Sequence, residues 1–273
     1  MDFITLDQVE AFKLSTSYMK VAPTVPPHFH NHYEIMYFLE GDAYYMVEGN
    51  NYEMNEGDLI ITNPRELHCP VFRSKKPYKR TILTLRPSFL SEFITDKYSP
   101  FYALDKRQLG SQNKISSETV KKYKIDEKFS EMEYYITSDK REAELMVKTN
   151  LVQLLVTLNN IVLQENPTGK TSNIDAVIQY INRNLTNKMM LSTLEDEFHL
   201  SKYHIAHSFK EKTGLTIMEY ITKKRIVMAK EMILDGSSLN EAAERVGFSD
   251  YSNFYRSFKK VMGFSPKDLR KLV

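Results

Sequence analysis

The feature that most constrains the fold is a repeat in the last hundred residues. Each copy has a leucine that opens a first helix, a serine before a second helix, a Phe-Lys pair, and a glycine five residues after the Phe. The copies are about 48 residues apart, which indicates two related units rather than a long solenoid. The matching positions are Leu191, Ser201, Phe209-Lys210 and Gly214, then Leu239, Ser249, Phe258-Lys259 and Gly263.

Each copy predicts a helix-turn-helix unit: a short helix, a tight turn, a serine N-cap and a second helix. The predicted spans are about 191–213 and 239–262. The second helix of such a unit can enter the major groove of DNA. One copy would be weak evidence, because buried helical hairpins look similar, but two copies favour a DNA-binding domain.

The first third of the chain has the pattern of short strands. Apolar and aromatic runs are separated by turn residues at Gly41, Gly49 and Gly57, and Asn63-Pro64 closes one run. This spacing predicts an all-β sandwich or small barrel. The predicted strands are 34–39, 43–47, 59–62 and 81–85.

From Ser117 to Val162 the apolar residues recur at helical spacing. Leu151, Leu154, Leu155 and Leu158 form an apolar seam. Two interpretations are open: the seam forms a homodimer interface, which we favour, or it packs on the β-rich part of its own chain. The polar stretch after Leu163 contains Pro and Gly and predicts an interdomain linker.

Composition narrows the class of protein. Hydrophobic residues make up 42% of the 273 residues, enough for a packed core, and the net charge is only +2. A single cysteine, Cys69, excludes an internal disulfide framework and fits a reducing compartment. No secretory signal is visible, and the most apolar stretch, Leu151 to Leu163, is too short to span a bilayer. We expect a soluble, cytoplasmic protein with no membrane partner.

Residues from about Ile174 to Leu272 resemble the DNA-binding domain of the AraC/XylS family of bacterial transcription regulators. The second repeat carries most of the likeness, in Val246-Gly247-Phe248-Ser249-Asp250 and Gly263-Phe264-Ser265-Pro266. The resemblance implies two helix-turn-helix units joined by a long helix, here about Ile217 to Leu234, and recognition helices in successive major grooves. The first repeat departs from the pattern, with Glu195 and His199 where the second keeps Ala243 and Gly247.

Position on the recognition helices predicts which side chains face DNA. Phe254 and Phe258 would point to the core, as would Ile205 and Phe209 in the first unit. Arg256 can make paired hydrogen bonds to guanine, and Ala206 offers only apolar contact to a thymine methyl. The predicted base-reading residues are Tyr203, Ala206, His207, Tyr251, Ser252, Tyr255 and Arg256. The predicted phosphate contacts are Ser201, Lys202, Lys210, Arg225, Ser249, Lys259 and Lys260.

The N-terminal part resembles the cupin superfamily in two motifs. The first is His28-Phe29-His30 with Glu34 and Gly41, and the second is Gly57-Asp58 with Pro64 and His68. Cupin metal enzymes use two His, a Glu and a later His, so a divalent Fe, Mn, Ni or Zn ion would be held by His28, His30, Glu34 and His68.

Three interpretations of these residues are open: a metal site, contact with a small organic effector without metal, and purely structural histidines. We favour the effector pocket, formed by His28, His30, Glu34, Tyr37 and His68, and expect no cofactor.

The sequence thus predicts an α+β multidomain chain and a sequence-specific DNA-binding transcription regulator, not an enzyme. The predicted domains are a cupin-like effector-sensing domain (1–113), a helical dimerisation segment (114–165), a linker (166–173) and an AraC-type DNA-binding domain (174–273). The expected partners are operator DNA, a small-molecule effector, a second copy of the chain and, for an activator, RNA polymerase. The alternative is a metal-dependent cupin enzyme whose helical tail is an interaction module.

Overall fold

The computed structural model of the chain describes residues 11–30, 32–164 and 172–269. These residues form two compact units. The sheet unit contains the described residues of 11–26 and 32–164, and the helical unit contains those of 27–30 and 172–269. The architecture is α+β, as predicted, with strands in one unit and helices dominating the other.

Two antiparallel sheets form the sheet unit within the described residues. One has the strand order β1-β7-β2-β5-β8 and the other has the order β4-β3-β6. The strands are β1 (Phe12–Met19), β2 (Tyr33–Glu40), β3 (Ala43–Val47), β4 (Asn50–Glu53), β5 (Leu59–Thr62), β6 (His68–Phe72), β7 (Tyr78–Leu85) and β8 (Lys114–Ile115).

Turn chemistry sets the register of the β3–β4 hairpin. Glu48 and Gly49 have φ values of 51° and 83°, which suit a two-residue turn with both central residues left-handed. The four predicted strands coincide with β2, β3, β5 and β7. The structure adds β1, β4, β6 and β8; β1 is an edge strand that pairs with β7.

The two faces of the five-stranded sheet serve different cores. Met36 and Phe38 of β2 point between the sheets and pack with Tyr45 of β3 and Ile60 of β5. Ile35, on the opposite face of β2, packs in a second core with the helices. This alternation follows from the two-residue period of a strand.

The helices of the sheet unit cover that second face. They are α1 (Tyr102–Lys106), α2 (Ser117–Lys122), α3 (Ile125–Thr137) and α4 (Ala143–Gln164), preceded by a 3-10 segment at Pro87–Phe93. The apolar seam of α4 lies in the same core as Ile35 and Leu59. Its members, all 0% exposed, are Leu151, Leu154, Leu155 and Leu158.

This packing corrects two predictions. The seam does not face a partner copy, because it is filled by the sheet of its own chain. The predicted boundary at residue 113 cuts through a sheet, since Ile115 of β8 pairs with Leu59 of β5. By length and composition α4 is also long and apolar enough to cross a membrane. Its most apolar 18 residues have a mean hydropathy of 1.3, yet 50% of that stretch is buried inside the protein.

The helical unit contains α5 (Asn173–Arg183) and two helix-turn-helix units. The bounds of the first pair, 191–213, and of the second, 239–262, coincide with the predicted spans, and the joining helix coincides with Ile217–Leu234. The helices are α6 (Leu191–Phe198), α7 (Lys202–Thr213), α8 (Ile217–Leu234), α9 (Leu239–Arg245), α10 (Tyr251–Met262) and α11 (Pro266–Leu269).

A short segment between β1 and β2 also belongs to the helical unit. Phe29 lies with its ring centroid 6.4 Å from that of Tyr220 in α8. The Nζ of Lys224 lies 5.1 Å from both ring centroids, although Lys224 is only 3% exposed. The aromatic faces stabilise this buried ammonium group.

Helix starts follow capping chemistry, with one correction. Ser201 caps α7 as predicted, because its side chain accepts from the N–H of His204 at 3.3 Å. Ser249 does not cap α10. Asp250 takes that place, and its carboxylate accepts from the N–H groups of Ser252 and Asn253. A carboxylate one residue later satisfies two free N–H groups where a hydroxyl would satisfy one.

Candidate DNA-reading surface and sensor pocket

The second recognition helix, α10, has one buried face and one exposed face. Phe254 and Phe258 are 0% exposed and pack in the core with Ala243 and Val246. Ser252 and Arg256 are exposed on the other side. The predicted readers Tyr251 and Tyr255 are half-buried, and the Tyr251 ring lies 5.8 Å from that of Phe254.

The first recognition helix, α7, repeats this division. Ile205 and Phe209 are 0% exposed, whereas Tyr203 is 78% exposed. His207 is exposed as well, and Ala206 is half-buried.

Two further side chains are exposed at the starts of these helices and are not among the predicted base-reading residues. They are His204 in α7 and Asn253 in α10. Both lie in the first helical turn, where recognition helices contact bases. Position within the helix, rather than residue type, was the signal that could have found them.

The two departures of the first repeat are accommodated by local geometry. His199 has a φ of 52°, so it adopts the left-handed conformation that Gly247 adopts in the second repeat. The Glu195 carboxylate accepts from the N–H of Lys202 at 3.1 Å. It thereby satisfies one N–H at the start of α7, and the first unit keeps its fold without Ala and Gly.

The predicted phosphate contacts divide into two groups. Those on or beside the recognition helices are exposed: Ser201, Lys202, Lys210, Ser249, Lys259 and Lys260. Arg225 is different. Its guanidinium donates to the carbonyl oxygens of Leu185, Asn187 and Gly247 at 2.7 to 2.8 Å. This corrects the prediction, because the hydrogen-bonding edges of Arg225 face the protein backbone.

Polar side chains cluster on the inner face of the five-stranded sheet. Glu34 of β2 lies directly opposite Thr62 of β5 and Thr84 of β7, so the three side chains share one face. The hydroxyls of Thr62 and Thr84 are buried and have no hydrogen-bond partner within the described residues. Buried hydroxyls are normally satisfied, so these two are notable.

The three-stranded sheet contributes to the same cluster. The Tyr45 hydroxyl donates to Glu34 at 3.2 Å, and the Nε2 of His68 lies 4.0 Å from the same carboxylate. The rings of Tyr45 and His68 stack with centroids 6.0 Å apart. His68 is further fixed by a 2.9 Å hydrogen bond between Nδ1 and the carbonyl of Glu66. The imidazole is therefore held in one orientation.

Burial and nearby charged groups shift the pKa values of several side chains on this face. Burial, and then the nearby Glu34 carboxylate, raise the pKa of Tyr45 well above its usual value. Burial lowers the pKa of Arg80, but Tyr78, Tyr45 and Glu34 raise it more, so the net shift is upward. Burial also raises the pKa of the Cys69 thiol to about 11, which keeps it protonated and unreactive at neutral pH.

One of the predicted pocket residues lies elsewhere. Tyr37 is on the opposite face of β2 and stacks on Phe129 of α3, with ring centroids 5.5 Å apart. A one-residue offset along a strand reverses the face, which explains this correction. His28 and His30 belong to the helical unit, with ring centroids 6.0 Å apart. The sheet unit therefore supplies Glu34 and His68 of the four predicted metal ligands.

Comparisons with known proteins match both halves of the chain. The AraC-like ligand binding domain model matches residues 18–155, which are 138 of the 273 residues. A helix-turn-helix domain model matches residues 194–272. The HTH-type transcriptional activator RhaS of Escherichia coli O1:K1 / APEC is 29% identical over 121 residues, 44% of each chain. The match thus spans less than half the length of this relative.

Solved structures give weaker likenesses. ToxT of Vibrio cholerae is 13% identical with a TM-score of 0.43, over 97% of this chain and 99% of that one. A protein of unknown function from Listeria innocua is 32% identical with a TM-score of 0.35, over 36% of this chain and 95% of that one. Both TM-scores are below 0.5, so neither structure is used to infer a property of this chain.

Proposed function

Because the chain belongs to the AraC family, we propose that it is a DNA-binding transcription regulator whose sheet unit holds a small polar effector. The family consists of regulators, and neither family match supports the alternative of a metal-dependent cupin enzyme. The RhaS relative is named a transcriptional activator. We propose by analogy that this chain acts on transcription in the cytoplasm, with RNA polymerase as partner if it activates.

The two-faced recognition helices carry the DNA-binding proposal. In each, a buried apolar face holds the helix to its unit while side chains able to bond bases face outward. Exposed lysines lie near both ends of α7, at Lys202 and Lys210, and in the last turn of α10, at Lys259 and Lys260. This is the arrangement expected when lysines position the protein on phosphates and the helix face reads bases.

The paired threonines support the effector proposal. Thr62 and Thr84 flank Glu34 with buried hydroxyls that have no partner within the described residues. A ligand carrying hydroxyl or amine groups could satisfy both hydroxyls and the carboxylate, whereas an apolar ligand would leave them unsatisfied. We therefore propose an uncharged polyhydroxyl compound or an organic cation as effector. Bound metal is not required for this chemistry.

Homodimerisation remains part of the proposal, on a different surface from the α4 seam. Tyr134 and Ile136 in α3 and Leu145 in α4 are 53%, 45% and 61% exposed. Exposed large apolar side chains are a feature of interaction surfaces, and we propose that these three take part in the dimer contact. A dimer would present two helical units to repeated DNA half-sites.

The DNA-binding proposal is tested with the full chain and a randomised pool of duplex DNA. The chain should select a defined sequence. Two recognition helices and their lysines would neutralise about 6–10 phosphates, so affinity should fall about 10³–10⁵-fold between 50 and 200 mM salt. Failure to enrich any sequence, or binding indifferent to salt, contradicts the proposal.

The effector proposal is tested by melting curves of the full chain against a panel of sugars, polyols and amines. A compound at 100 times its Kd should stabilise the sheet unit by about 2.7 kcal/mol. Elemental analysis of the same preparation measures Fe, Mn, Ni and Zn. Near-stoichiometric metal, lost on replacing His68 by Ala, would favour the metal interpretation instead.

A further inference from the structure

Arg225 lies in α8 at the junction between the two helix-turn-helix units. Before it in the helix, Tyr220 packs its ring edge-to-face on Phe209 of α7, with centroids 5.3 Å apart. Directly after it, Ile226 belongs to the core that Phe254 and Phe258 of α10 help to form. The helix thus passes from one unit to the other at the position of Arg225.

The three hydrogen bonds of Arg225 reach the loop before the first unit and the turn of the second unit. The Nε donates to the carbonyl of Leu185 at 2.7 Å, and an Nη donates to that of Asn187 at 2.8 Å. Both carbonyls lie in the loop that leads into the first unit. The other Nη donates at 2.7 Å to the carbonyl of Gly247, in the turn of the second unit.

The loop and the turn also touch directly at Gly247. A Cβ on this residue would lie 2.5 Å from the carbonyl oxygen of Thr186 and 3.0 Å from the Arg225 guanidinium. Only glycine, which has no Cβ, fits such a close approach. The glycine therefore serves two purposes: it permits the left-handed turn, with a φ of 90°, and it lets the loop reach the turn.

We propose that Arg225 is a positioning residue that sets the angle and spacing between the two recognition helices. The inference rests on the proposed function, in that both units bind one DNA duplex. A planar guanidinium with donors in three directions can join three carbonyls at once. A lysine at this position keeps the charge but presents a single ammonium group and cannot.

DNA geometry makes the consequence measurable. Each base pair added between two subsites rotates the second by about 34–36° and moves it about 3.4 Å. A rigid pair of recognition helices accepts only one spacing, whereas a loosened pair tolerates several. Arg225 therefore contributes to specificity through spacing, without touching a base.

The first test measures orientation without DNA, so that it stays informative if the DNA-binding proposal fails. Nitroxide labels are placed on Asp196→Cys in α6 and Asn240→Cys in α9, both exposed positions, in a Cys69→Ala chain. Electron paramagnetic resonance gives the distribution of the distance between the labels. We expect a narrow distribution with Arg225 and a clearly broader one after Arg225→Lys.

Two control variants distinguish the positioning role of Arg225 from the loss of any arginine and from a general loss of stability. Arg245→Lys makes the same chemical change at an exposed arginine whose Nη1 lies 3.6 Å from Glu241. Ile233→Val weakens the core of the second unit without touching Arg225. Both controls should keep the narrow distribution. If Arg225→Lys stays narrow, or if Ile233→Val broadens the distribution equally, the proposal is overturned.

The second test uses DNA that the unmodified chain has selected from a randomised pool. The same DNA is then remade with two base pairs inserted between the two subsites that the recognition helices contact. The insertion should weaken binding of the unmodified chain about tenfold, the effect of losing one good base contact. For Arg225→Lys the loss should shrink to about threefold, with weaker binding to the original DNA. An unchanged tenfold loss in Arg225→Lys overturns the positioning role of Arg225. Selection of no DNA overturns the proposed function, and the positioning role is then tested by the label distances alone.

Discussion

Arg107 and Glu66 form a two-pronged ion pair in the interior of the sheet unit, with both Nη atoms 2.6 Å from a carboxylate oxygen. Their side chains are 1% and 0% exposed. Glu66 also accepts from the N–H groups of Asn63 and Gly110. The pair thus joins the turn before β6 to the loop before β8, and it is satisfied well enough to keep both charges buried.

The pair makes the sheet unit sensitive to acid. Burial raises the pKa of Glu66, but Arg107 and the N–H donors lower it more, so the folded pKa lies below the ordinary 4.5. The stabilisation is fully present above pH 4.5 and is lost as the pH falls through the folded pKa. Glu66→Gln should cost about 3–5 kcal/mol at pH 7 because Arg107 is left unpaired. Urea unfolding from pH 7 to pH 3.5 should show a shallower pH slope for the variant, and equal slopes would contradict the prediction.

Arg256 and Lys260 should differ in what they contribute to DNA binding. Arg256→Ala removes the proposed base contact on the exposed face of α10, so preference at one base position should fall by about 1–3 kcal/mol. Lys260→Ala removes the proposed phosphate contact and should weaken binding to all sequences about equally. Binding to a panel of single-base variants of the selected DNA measures both. Unchanged base preferences in the Arg256 variant would show that α10 is oriented differently.

His199 and Gly247 should respond oppositely to substitution. His199→Gly relieves a left-handed backbone at φ 52° and should stabilise the helical unit by up to about 1 kcal/mol. Gly247→Ala meets a φ of 90° and the Thr186 carbonyl, so it should destabilise by more than about 2 kcal/mol. Thermal unfolding of the two variants side by side decides, and a loss of stability in His199→Gly would mean that the imidazole itself contributes.

Thr62→Val should separate stability from sensing. The Thr62 hydroxyl is buried without a partner within the described residues, so replacing it by a methyl group should leave folding unchanged or improve it by about 1 kcal/mol. If the hydroxyl binds an effector, the compound found in the melting screen should lose most of its stabilising effect. Thr149→Val in α4 is the matched control, because its hydroxyl bonds the Leu145 carbonyl away from this face. Undiminished stabilisation in Thr62→Val would remove Thr62 from the pocket.

The helical unit could be predicted closely because its signals are local. Phenylalanines at one-turn spacing, a glycine after each second helix and polar caps all act within a few residues, so Ile217–Leu234 and both helix-turn-helix spans follow from the sequence. The cap of α10 was misassigned by one residue, since Ser249 and Asp250 are both good caps and only the backbone decides between them.

The sheet unit was less predictable because its contacts are distant in sequence. β1 contains Ser15 and Ser17 and shows little apolar alternation, so its pairing with β7 depends on register rather than composition. Whether the α4 seam packs on its own chain depends on whether another element covers the outer face of the sheet, and the sequence does not show this. The place of His28 and His30 was set by packing of the segment around Phe29, for which the sequence holds no periodic signal.

That segment bears on the order in which the chain can fold during synthesis. Phe29 leaves the ribosome 191 residues before its ring partner Tyr220, whereas the partners of the α4 seam are all made by residue 164. The sheet unit can therefore complete its core while the helical unit is still being translated. Phe29 lacks its ring partner until α8 has been synthesised. A fragment starting at residue 172 would lack this ring, so its Lys224 would have one aromatic face where the whole chain gives it two.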